Sequence, residues 1–533
     1  MANDLLFGTN ARSKIAEGIK TLYDAVRVTL GPRGRNVIIE QDFGAPLIIN
    51  DGVTIAKNIV LKDKYQNLGA SLIIEAATKT NDFAGDGTTT AVILSSLSVL
   101  KGLEHIEKGI NPVDIKEGFD YYLPIIIDKI NSRSISVSSL QDINNIASLS
   151  SANKMIGRLI ADAYEAVGVD GEITVEESRG LETSLEVVKG YSYDRGYASS
   201  YMANNEEKQI AELSNPNILI TDKKIQSMKE IMPFLENAMT NGTPLLIICD
   251  DIEQEVLSAV VMNKLRGVFN VVITKAPSFG DRKIQILKDI AVVTGSKFIS
   301  TTKGDELSKV SLDVLGSAQK VIVSQNNTII IDGGGEKEDV ISYIEGLKTL
   351  CENETSSYEI EKYKTRIARL ASGVAVIKVG AATEVELHDK KLRIEDALCA
   401  CKAALKSGTI EGAGKVFYEI ADELKDFKEY TSSKEIIIYA LKALFDQILE
   451  NAGVNKSDII SKLDNNLWFD AKNKQIVNLR ENGIIDPAGV SITSITNALS
   501  IASIVLTTEC AIISTNEKSS VNEDNLIWWI MMI

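Results

Sequence analysis

Histidine and cysteine are too scarce in this sequence to support several common kinds of active site. The 533 residues include only two histidines, His105 and His388, and five cysteines. A histidine-centred catalytic triad or a zinc site is therefore not expected. Only Cys399 and Cys401 lie close together, in a predicted helix where residues two apart do not share a face. A metal-binding or redox role is one interpretation of these two cysteines, but the favoured interpretation is that they are small buried residues of the core.

The sequence also lacks the features that would indicate a nucleic-acid or membrane partner. Its formal net charge is −16, whereas a nucleic-acid surface needs a basic face. No apolar run approaches the length of a membrane span. The N-terminal stretch MANDLLFGTNARSK has no apolar core of a signal peptide and no Arg/Ser-rich leader. We therefore expect no nucleic acid, no membrane and a cytoplasmic location.

Aromatic residues are few, at 6% of the chain, so much of the core is expected to be aliphatic. The chain is 44% hydrophobic and 24% charged, as in ordinary globular proteins. A length of 533 residues exceeds what one compact core supports, and it predicts two to four domains.

The predicted elements change character along the chain. Residues 9–130 show mostly helical periodicity, interrupted by two short strands in NVIIEQ and APLIIND. The middle alternates buried strands, in NPNILITD, TPLLIICDD and FNVVITKAP, with amphipathic helices, which indicates βαβ units and a parallel sheet. After about residue 340 long helical patterns return. This order predicts an α/β domain inserted into a helical one.

The stretch GDGTTT, residues 85–90, is the most unusual in the chain. It opens a predicted helix with three consecutive β-branched hydroxyl residues, which ordinarily prefer strands or caps. Helix capping would explain one or two of them. The alternative is an anion bound at this helix end, where free N–H groups and the helix dipole favour negative charge. Asp86 would then be a suitable oxygen ligand for Mg²⁺.

Three other segments could contribute to the same nucleotide chemistry. TLGPRGRN (Thr29–Asn36) is a turn that exposes backbone amides, NDGVTIAKNI places Asp51 and Gly52 at a helix start, and LRIEDAL carries Asp396 on a helix. Each segment alone has an ordinary interpretation, as a turn, a cap or a solvated helix face. The four segments together, in this order, are much more specific.

These segments belong to a longer series of motifs that resembles a known family. TLGPRGRNV, NDGVTIAK, GDGTTTA, DRGY, KAPSFGDRK, GVAVIKVGAATEVEL, RIEDAL and GIIDP follow one another as in the bacterial group I chaperonins, the GroEL type. The resemblance extends from about residue 3 to residue 515.

The resemblance implies a multidomain α and α/β chain with the chaperonin fold. Residues 1–133 and 407–533 would form a mostly helical equatorial ATPase domain. Residues 134–189 and 374–406 would form a small intermediate hinge domain, and residues 190–373 an inserted α/β apical domain. The implied partners are further copies of the chain in seven-membered rings, two of them stacked, a GroES-type co-chaperonin lid, and unfolded or partly folded polypeptides.

The resemblance also implies a nucleotide site with ATP, Mg²⁺ and K⁺. Asp396 would position or deprotonate the attacking water, with Asp51 as a second carboxylate. Asp86 would hold Mg²⁺, and backbone oxygens of Thr29 and Asn50 would help to hold K⁺. The nucleotide-binding residues would be Thr29, Leu30, Gly31, Pro32, Asn50, Asp86, Gly87, Thr88, Thr89, Thr90, Ser151, Gly412, Ala413, Asp470, Ala471, Lys472 and Asp486. On this interpretation the threonines cradle phosphate and capping is secondary.

The predicted apical domain would carry the surface that binds polypeptides and the lid. Leu257 and Val261 lie four apart on one helix face, and such apolar stripes are usually core; in this family the stripe is instead exposed. The residues matched to this surface are Tyr197, Tyr201, Met202, Met232, Leu235, Leu257, Val261 and Met262. Gly190, Gly373 and Gly408 match hinge positions.

The chain departs from the family pattern at several positions. Asn50 stands where lysine is common, and Ala413 interrupts a usual glycine triplet. Asp470 stands where asparagine is usual and Lys472 where a small residue is usual; an ionised aspartate accepts but cannot donate a hydrogen bond to adenine. The chain ends in DNLIWWIMMI rather than a Gly/Met-rich tail, and cavity lining, local packing and a peculiarity of this sequence all remain open.

Two functions of different classes follow. The first is an ATP-dependent folding chaperone that encloses non-native polypeptides under a lid. The second is an ATP-independent holdase or structural ring with a degenerate nucleotide pocket, suggested by the altered EGAG and WFDAKN segments. The carboxylates Asp51, Asp86 and Asp396 are all retained, which favours the first.

Overall fold

A computed structural model of the protein describes residues 3–41, 46–169, 171–178, 180–188, 190–205, 209–300, 306–354, 356–464 and 466–514. The apolar C-terminal DNLIWWIMMI lies outside these residues. The chain divides into two compact units, unit 1 (Met1–Ala161 and Gly380–Ile533) and unit 2 (Asp162–Val379). Unit 2 thus interrupts unit 1 in sequence, as the predicted insertion requires. The finer division into three domains stays a prediction.

The helices and strands follow the predicted change of character along the chain. The helices are α1 (Gly8–Val26), α2 (Gly52–Lys57), α3 (Lys64–Ala84), α4 (Thr88–Glu107), α5 (Pro112–Arg133), α6 (Leu140–Ser150), α7 (Lys154–Val167), α8 (Met228–Asn241), α9 (Gln254–Leu265), α10 (Gly280–Thr294), α11 (Lys337–Glu352), α12 (Ser357–Ser372), α13 (Glu384–Ser407), α14 (Lys415–Glu423), α15 (Thr431–Ala452), α16 (Lys456–Ile460) and α17 (Ala488–Leu506). The strands are β1 (Asn3–Phe7), β2 (Val37–Ile39), β3 (Leu47–Ile49), β4 (Glu172–Glu177), β5 (Ser184–Val188), β6 (Gly190–Tyr193), β7 (Ala211–Ser214), β8 (Asn217–Ile220), β9 (Lys224–Ile225), β10 (Leu245–Cys249), β11 (Asp251–Ile252), β12 (Val271–Lys275), β13 (Gly316–Val323), β14 (Thr328–Gly333), β15 (Val374–Val379), β16 (Thr409–Glu411), β17 (Trp468–Asp470), β18 (Gln475–Val477), β19 (Ile485–Pro487) and β20 (Cys510–Ser514).

Unit 1 is built on an aliphatic core between its long helices. Buried Ile, Leu, Val and Ala side chains of α1, α3, α4, α5, α15 and α17 form one continuous cluster, with few aromatic members such as Phe119 and Tyr122. The expectation of a mostly aliphatic core is therefore confirmed for this unit. The two short strands predicted in this region are present as the antiparallel pair β2–β3.

Helix α17 corrects one expectation. Within the described ranges, α17 is the one helix long and apolar enough to cross a membrane by length and composition. The statement that no run approaches that length is therefore wrong. Most of α17 is buried, and it packs against α3, α4 and α5 in the core of unit 1. A helix enclosed on nearly all sides is apolar all round, which explains its composition without a bilayer.

The two ends of the described chain meet in one small ribbon. Strand β1 pairs with β20 in antiparallel register, from Asn3 opposite Ser514 to Phe7 opposite Cys510. Arg12 at the start of α1 donates to the carboxylate of Glu509 at 2.5 Å. Unit 1 is thus closed by residues about 500 positions apart in the sequence.

Unit 2 contains a seven-stranded sheet in the order β12-β10-β8-β13-β14-β6, with β7 paired to β13. The strands predicted as βαβ units are present: β10 runs parallel to both β8 and β12. The predicted parallel sheet is therefore confirmed for these three strands, but the sheet continues as antiparallel, because β13 runs antiparallel to β8, β14 and β7. A separate sheet, in the order β4-β15-β5, completes the unit.

Candidate nucleotide site and apolar surface

The N-termini of α2 and α4 meet in unit 1. A Cβ atom at Gly52 would lie 2.5 Å from Thr89 Oγ1 and 2.9 Å from the Thr89 amide nitrogen, so only glycine allows this approach. Two helix N-termini therefore direct their positive dipole ends towards one region, and α4 adds the free N–H groups of its first turn. This arrangement suits a negatively charged ligand.

The three threonines do not cap α4. The N-cap residue is Gly87, in the left-handed conformation at φ 80°, and no side chain accepts a hydrogen bond from the first turn. The expectation of a secondary capping role is therefore wrong for these side chains. Thr89 Oγ1 instead lies 3.3 Å from Thr29 Oγ1, which connects the helix start to the TLGPRG turn. The amides of the first turn remain available to a ligand.

The TLGPRG turn is tied to two other parts of unit 1. Thr29 ends a single 3-10 turn, and Gly31 takes a φ of 80°. On α15, Asn451 donates from Nδ2 to the carbonyls of Arg27 and Leu30, at 3.1 and 2.9 Å. Neighbouring Arg33 donates to the carbonyl of Lys472 at 2.6 Å. The predicted phosphate and adenine ends of the site therefore lie side by side.

Asp51 and Asp86 occupy the starts of these two helices. Asp51 is the N-cap of α2 and accepts from the amides of Val53 and Thr54 at 3.3 and 2.8 Å. Asp86 accepts from the Gly87 amide at 2.5 Å. Burial raises the pKa of Asp86, and the charge of Asp51 adds to that rise. The two carboxylates are therefore close enough to repel each other.

Asp396 and Asp486 belong to the same group of carboxylates. Burial raises the pKa of Asp396 well above its usual range, and the negative charges of Asp86 and Asp51 raise it further. Burial, together with the charge of Asp86, raises the pKa of Asp486 to about 7. Asp396 lies on α13 and Asp486 on β19, so four separate elements bring these carboxyl groups together. Perturbed carboxylates of this kind are typical of functional sites.

The predicted contacts to the nucleoside are the most altered part of the site. Gly412 lies against Asp486, since a Cβ there would be 3.0 Å from Asp486 Oδ1. Ala413 takes a left-handed φ of 52°, and its carbonyl accepts from Trp468 Nε1 at 3.3 Å. Gly412, Ala413 and Asp486 are thus grouped as predicted.

Asp470 is engaged within its own turn. One of its oxygens accepts from the amides of Lys472 and Asn473, at 2.8 and 3.3 Å, and the other accepts from Asn473 Nδ2 at 2.7 Å. Ala471 is buried. The Asp470 carboxylate therefore stabilises the β17–β18 hairpin, and a hydrogen bond from adenine would compete with these contacts.

Ser151 is one of the predicted nucleotide-binding residues, but its hydroxyl does not contact the other site residues. It is buried and donates to the backbone carbonyl of Ala147 at 2.6 Å, because it ends α6. The preceding Ser150 donates instead to Asp86 Oδ2 at 3.2 Å. Sequence reasoning missed Ser150 and Asn451, since neither lies in a motif that a spacing rule would identify.

The carboxyl groups fit a magnesium ion that arrives with phosphate. Asp51, Asp86, Asp396 and Asp486 make no ion pair with any described lysine or arginine, and the charge of Arg393, which lowers the pKa of Asp396, offsets only part of the rise. No group of three ligand side chains among the described residues would hold a metal unaided. Magnesium is usually bound by one or two carboxylates plus substrate phosphates, which matches this donor set.

The three predicted hinge positions require glycine for two different reasons. Gly373 and Gly408 have φ values of 68° and 74°, with ψ near extended values, a region that only glycine enters readily. Gly190 instead needs space, since a Cβ would lie 2.3 Å from Val374 Cγ2. Their role as hinges stays a prediction.

The eight residues matched to a polypeptide-binding surface do not form one exposed face. Tyr201 is 66% exposed, Met262 50% and Met232 39%, and Tyr197 is half-buried. Four others are buried in the core of unit 2, contrary to the expected exposure: Met202, Leu235, Leu257 and Val261.

The burial of these four residues has a physical cause. On α9, Leu257 and Val261 form the stripe that packs into the core, so the ordinary interpretation of the spacing is correct there. Met202 is fully buried, and its sulfur accepts from the Ile273 amide of β12. Two exposed apolar residues that sequence reasoning missed lie on α8 and α9, Met239 and Leu265.

The comparisons with known proteins agree with this architecture. The model of the TCP-1/cpn60 chaperonin family matches residues 22–516. Among solved structures, two crystal forms of the chaperonin gp146 from bacteriophage EL 2 (Pseudomonas aeruginosa), both in the presence of ATP-BeFx, are similar to this chain. Form II aligns with a TM-score of 0.66 and form I with 0.61; each is 22% identical and covers 96% of this chain and 99% of gp146.

The likeness to gp146 shows the fold, and the family match extends over most of the sequence. The multidomain α and α/β architecture expected from the resemblance is confirmed, as is the resemblance itself at the level of the family. The chain belongs to the TCP-1/cpn60 chaperonin family and has the chaperonin fold.

Proposed function

We propose that this chaperonin hydrolyses ATP to drive the folding of non-native polypeptides. One observation carries the proposal: four carboxyl groups, Asp51, Asp86, Asp396 and Asp486, are brought together where the N-termini of α2 and α4 meet, and three of them have raised pKa values. Free amides for phosphate and acidic groups for a cation and a water molecule are the parts that phosphoryl transfer needs. The gp146 structures, in the presence of an ATP analogue, support nucleotide binding at this fold.

Each part of the site has a distinct task in this proposal. The α4 amides and Thr89 bind phosphate oxygens, while the TLGPRG turn closes over them. Asp86 holds the magnesium ion, which when bound neutralises phosphate charge. Asp396 orients the attacking water and accepts its proton, and a raised pKa brings this carboxyl nearer the range in which a general base is effective.

The remaining partners belong to the same proposal. Backbone carbonyls of Thr29 and Asn50 hold potassium, copies of the chain form seven-membered rings, and a GroES-type lid covers the bound polypeptide. Exposed Tyr201, Met232 and Met262 supply apolar contact, and the thioether side chains adapt to varied sequences. Rotation about Gly190, Gly373 and Gly408 changes which apolar side chains face the polypeptide.

The test is ATP hydrolysis by the purified protein with and without Mg²⁺ and K⁺, comparing Asp396→Asn with Asp389→Asn. Asp389 lies on the same helix and pairs with Arg393 at 2.8 Å; Arg393 also lowers the pKa of Asp396, and Asp389→Asn leaves that arginine in place. We expect Asp396→Asn to lower the turnover rate at least a hundredfold while nucleotide still binds, and Asp389→Asn to leave it nearly unchanged. Equal rates in the two variants would contradict the role of Asp396.

The second candidate is an ATP-independent holdase. It is favoured by the engagement of Asp470 with Lys472 and Asn473 and by the methyl group of Ala413 beside Trp468. If the wild-type chain neither binds nor hydrolyses ATP but still prevents aggregation of an unfolded protein, this second function is correct and the first is not.

A further inference from the structure

A small cavity in unit 2 is lined by an unusual number of basic side chains. It has a volume of about 220 Å³ and lies between α10, α12 and β6. Arg282, Lys362, Arg366 and Arg369 line it, together with Tyr191. No nucleotide-site residue contributes to it, because all of the lining residues belong to unit 2.

Helical spacing places the basic residues on one side of the cavity. Lys362, Arg366 and Arg369 stand at positions i, i+4 and i+7 of α12, which share a helix face. Arg282 lies in the first turn of α10, and Asp289 follows it seven residues later. The two helices therefore present Arg282 and the α12 cations to the same space.

Only part of this positive charge is neutralised by the protein. Buried Asp289 accepts two hydrogen bonds from Arg366, at 2.9 and 2.6 Å, and one from Tyr343 at 3.0 Å. Lys362 pairs with Glu359 at 2.6 Å. These two cations therefore contribute little net charge to the cavity.

The two remaining arginines carry the excess charge. The only ion pair of Arg369 with a described residue is to the exposed Asp194, at 3.7 Å. Among the described residues, Arg282 has no carboxylate within ion-pair distance. Arg282 is itself exposed at the cavity mouth. An anion entering the cavity would therefore meet two guanidinium groups, of which one is paired only with an exposed carboxylate 3.7 Å away.

Tyr191 provides an independent indication of a ligand. The side chain is 1% exposed, and its hydroxyl lies near Asp289 and Arg369 without a hydrogen bond of normal geometry to any described residue. Burial raises the pKa of Tyr191 above its usual range; the charge of Asp289 adds to the rise and Arg369 opposes it. A buried hydroxyl without a partner is costly, and most such groups in proteins are satisfied.

We propose that this cavity is a binding site for a phosphate-class oxyanion, either free phosphate or the phosphoryl group of a phosphomonoester. Arg282 and Arg369 would supply planar, always-charged donors, which suit phosphate geometry, and the Tyr191 hydroxyl would donate the hydrogen bond that it lacks. The cavity is smaller than sites for drug-sized ligands, so a phosphoryl group fits it better than a whole nucleotide. The proposal does not depend on ATP hydrolysis.

The experiment is calorimetric titration of the full chain with inorganic phosphate, and separately with O-phosphoserine, in a saturating non-hydrolysable ATP analogue. The three phosphates of the analogue block phosphate binding at the candidate nucleotide site, and the analogue is inert if that site does not bind it. We expect one site per chain. Arg282→Gln and Arg369→Gln should each weaken it about tenfold or more, whereas Arg266→Gln, an exposed arginine at the end of α9, should not.

Tyr191→Phe separates a ligand role from a structural one. Because the hydroxyl has no hydrogen bond to lose, the variant should keep or exceed the wild-type melting temperature while binding phosphate about tenfold more weakly. If O-phosphoserine binds more tightly than phosphate, the natural ligand is a phosphomonoester. If phosphate binds more tightly, the natural ligand is the free ion. Absence of phosphate and O-phosphoserine binding while the nucleotide site is occupied, or unchanged affinity in both arginine variants, would overturn the proposal.

Discussion

Asp486 is one of three buried site carboxyl groups, with Asp86 and Asp396, whose raised pKa values should make stability depend on pH near neutrality. Its pKa is about 7 in the folded chain and about 3.9 in an unfolded one. Between these values the folded chain retains a proton that the unfolded chain has lost. The free energy of unfolding of the nucleotide-free protein should therefore fall as the pH rises from about 4 and level off above about 7. Melting temperatures measured from pH 5 to 9 would show this.

Asp486→Asn should make that part of the profile less steep, because an amide has no charge to bury, while Asp86 and Asp396 still contribute. At pH 8 the variant should melt at a higher temperature than the wild type without nucleotide. Asp446→Asn is a suitable control, since Asp446 is a partly buried carboxylate paired with Lys456 in the same unit. A wild-type profile that rises between pH 5 and 8 would show that Asp486 is not held protonated.

Gly52 should be intolerant of even one added carbon. Gly52→Ala would place a methyl group 2.5 Å from Thr89 Oγ1, forcing the starts of α2 and α4 apart. We expect a loss of about 1–3 kcal/mol in the free energy of unfolding and a marked loss of ATP affinity. Chemical denaturation and nucleotide titration would measure the two effects.

Gly346→Ala is the matched control for this change. Gly346 is exposed on α11 with open space around its Cα, so alanine there should raise helix stability by up to about 1 kcal/mol. If Gly52→Ala behaves like Gly346→Ala, the close approach of α2 and α4 is not a requirement of the site.

At this scale the sequence motifs predicted most of the candidate site but not all of its contacts. Asp51, Asp86, Asp396 and Asp486 are brought together as the motifs suggested. Ser150, rather than Ser151, contacts Asp86, because the end of α6 decides which of two adjacent hydroxyls turns inward. A one-residue difference in side-chain direction depends on tertiary packing that no local pattern records.

Helix α9 shows how one element can serve the core and a binding surface at once. Val261 is buried and its neighbour Met262 is half exposed. We expect Met262→Ser to weaken capture of an unfolded polypeptide without changing stability. Val261→Ser should instead cost about 2–4 kcal/mol, through a lost apolar contact and a buried hydroxyl. Light scattering of an aggregating client and thermal unfolding would separate the two outcomes.

The opposite outcome of the Met262→Ser and Val261→Ser comparison would indicate a conformational change of α9. If Met262→Ser left capture intact and Val261→Ser abolished it in a protein that still melts normally, the buried stripe would have to become exposed during function. The residues first matched from the sequence would then be correct in a conformation other than this one.

For the elements, periodicity and strand composition predicted whether a segment is a helix or a strand. They did not predict how every strand pairs with its neighbours. The runs in β8, β10 and β12 predicted parallel neighbours correctly. The antiparallel β13 was not foreseen, because a buried strand is apolar whichever way its neighbour runs. Similarly, the apolar run in α17 was underestimated, since its serines and threonines interrupt the run in sequence but not in the folded core.

At the scale of the whole molecule, the seven-stranded sheet should be an independent folding unit. All of its strands lie between β6 and β14, and the buried residues of its core run from Tyr191 to Leu370. A fragment of residues 190–373 contains this sheet and core and omits the separate β4-β15-β5 sheet. We expect it to unfold in one cooperative transition by circular dichroism.

Residues 162–379 provide the comparison, since they add the second sheet. A fragment 190–373 that has no cooperative transition, beside a longer fragment that has one, would contradict the predicted apical boundary. It would show that the two sheets fold as a single domain.

The β1–β20 ribbon sets an order of events during synthesis. The first strand leaves the ribosome about 500 residues before its partner. The helices α1 to α5 are likewise synthesised about 300 residues or more before α15 and α17, which complete their core. Unit 2, by contrast, is continuous and can fold while the rest of the chain is still being made. Unit 1 can close only near the end of translation, so the nascent protein itself exposes the unfinished apolar surfaces on which a folding assistant acts.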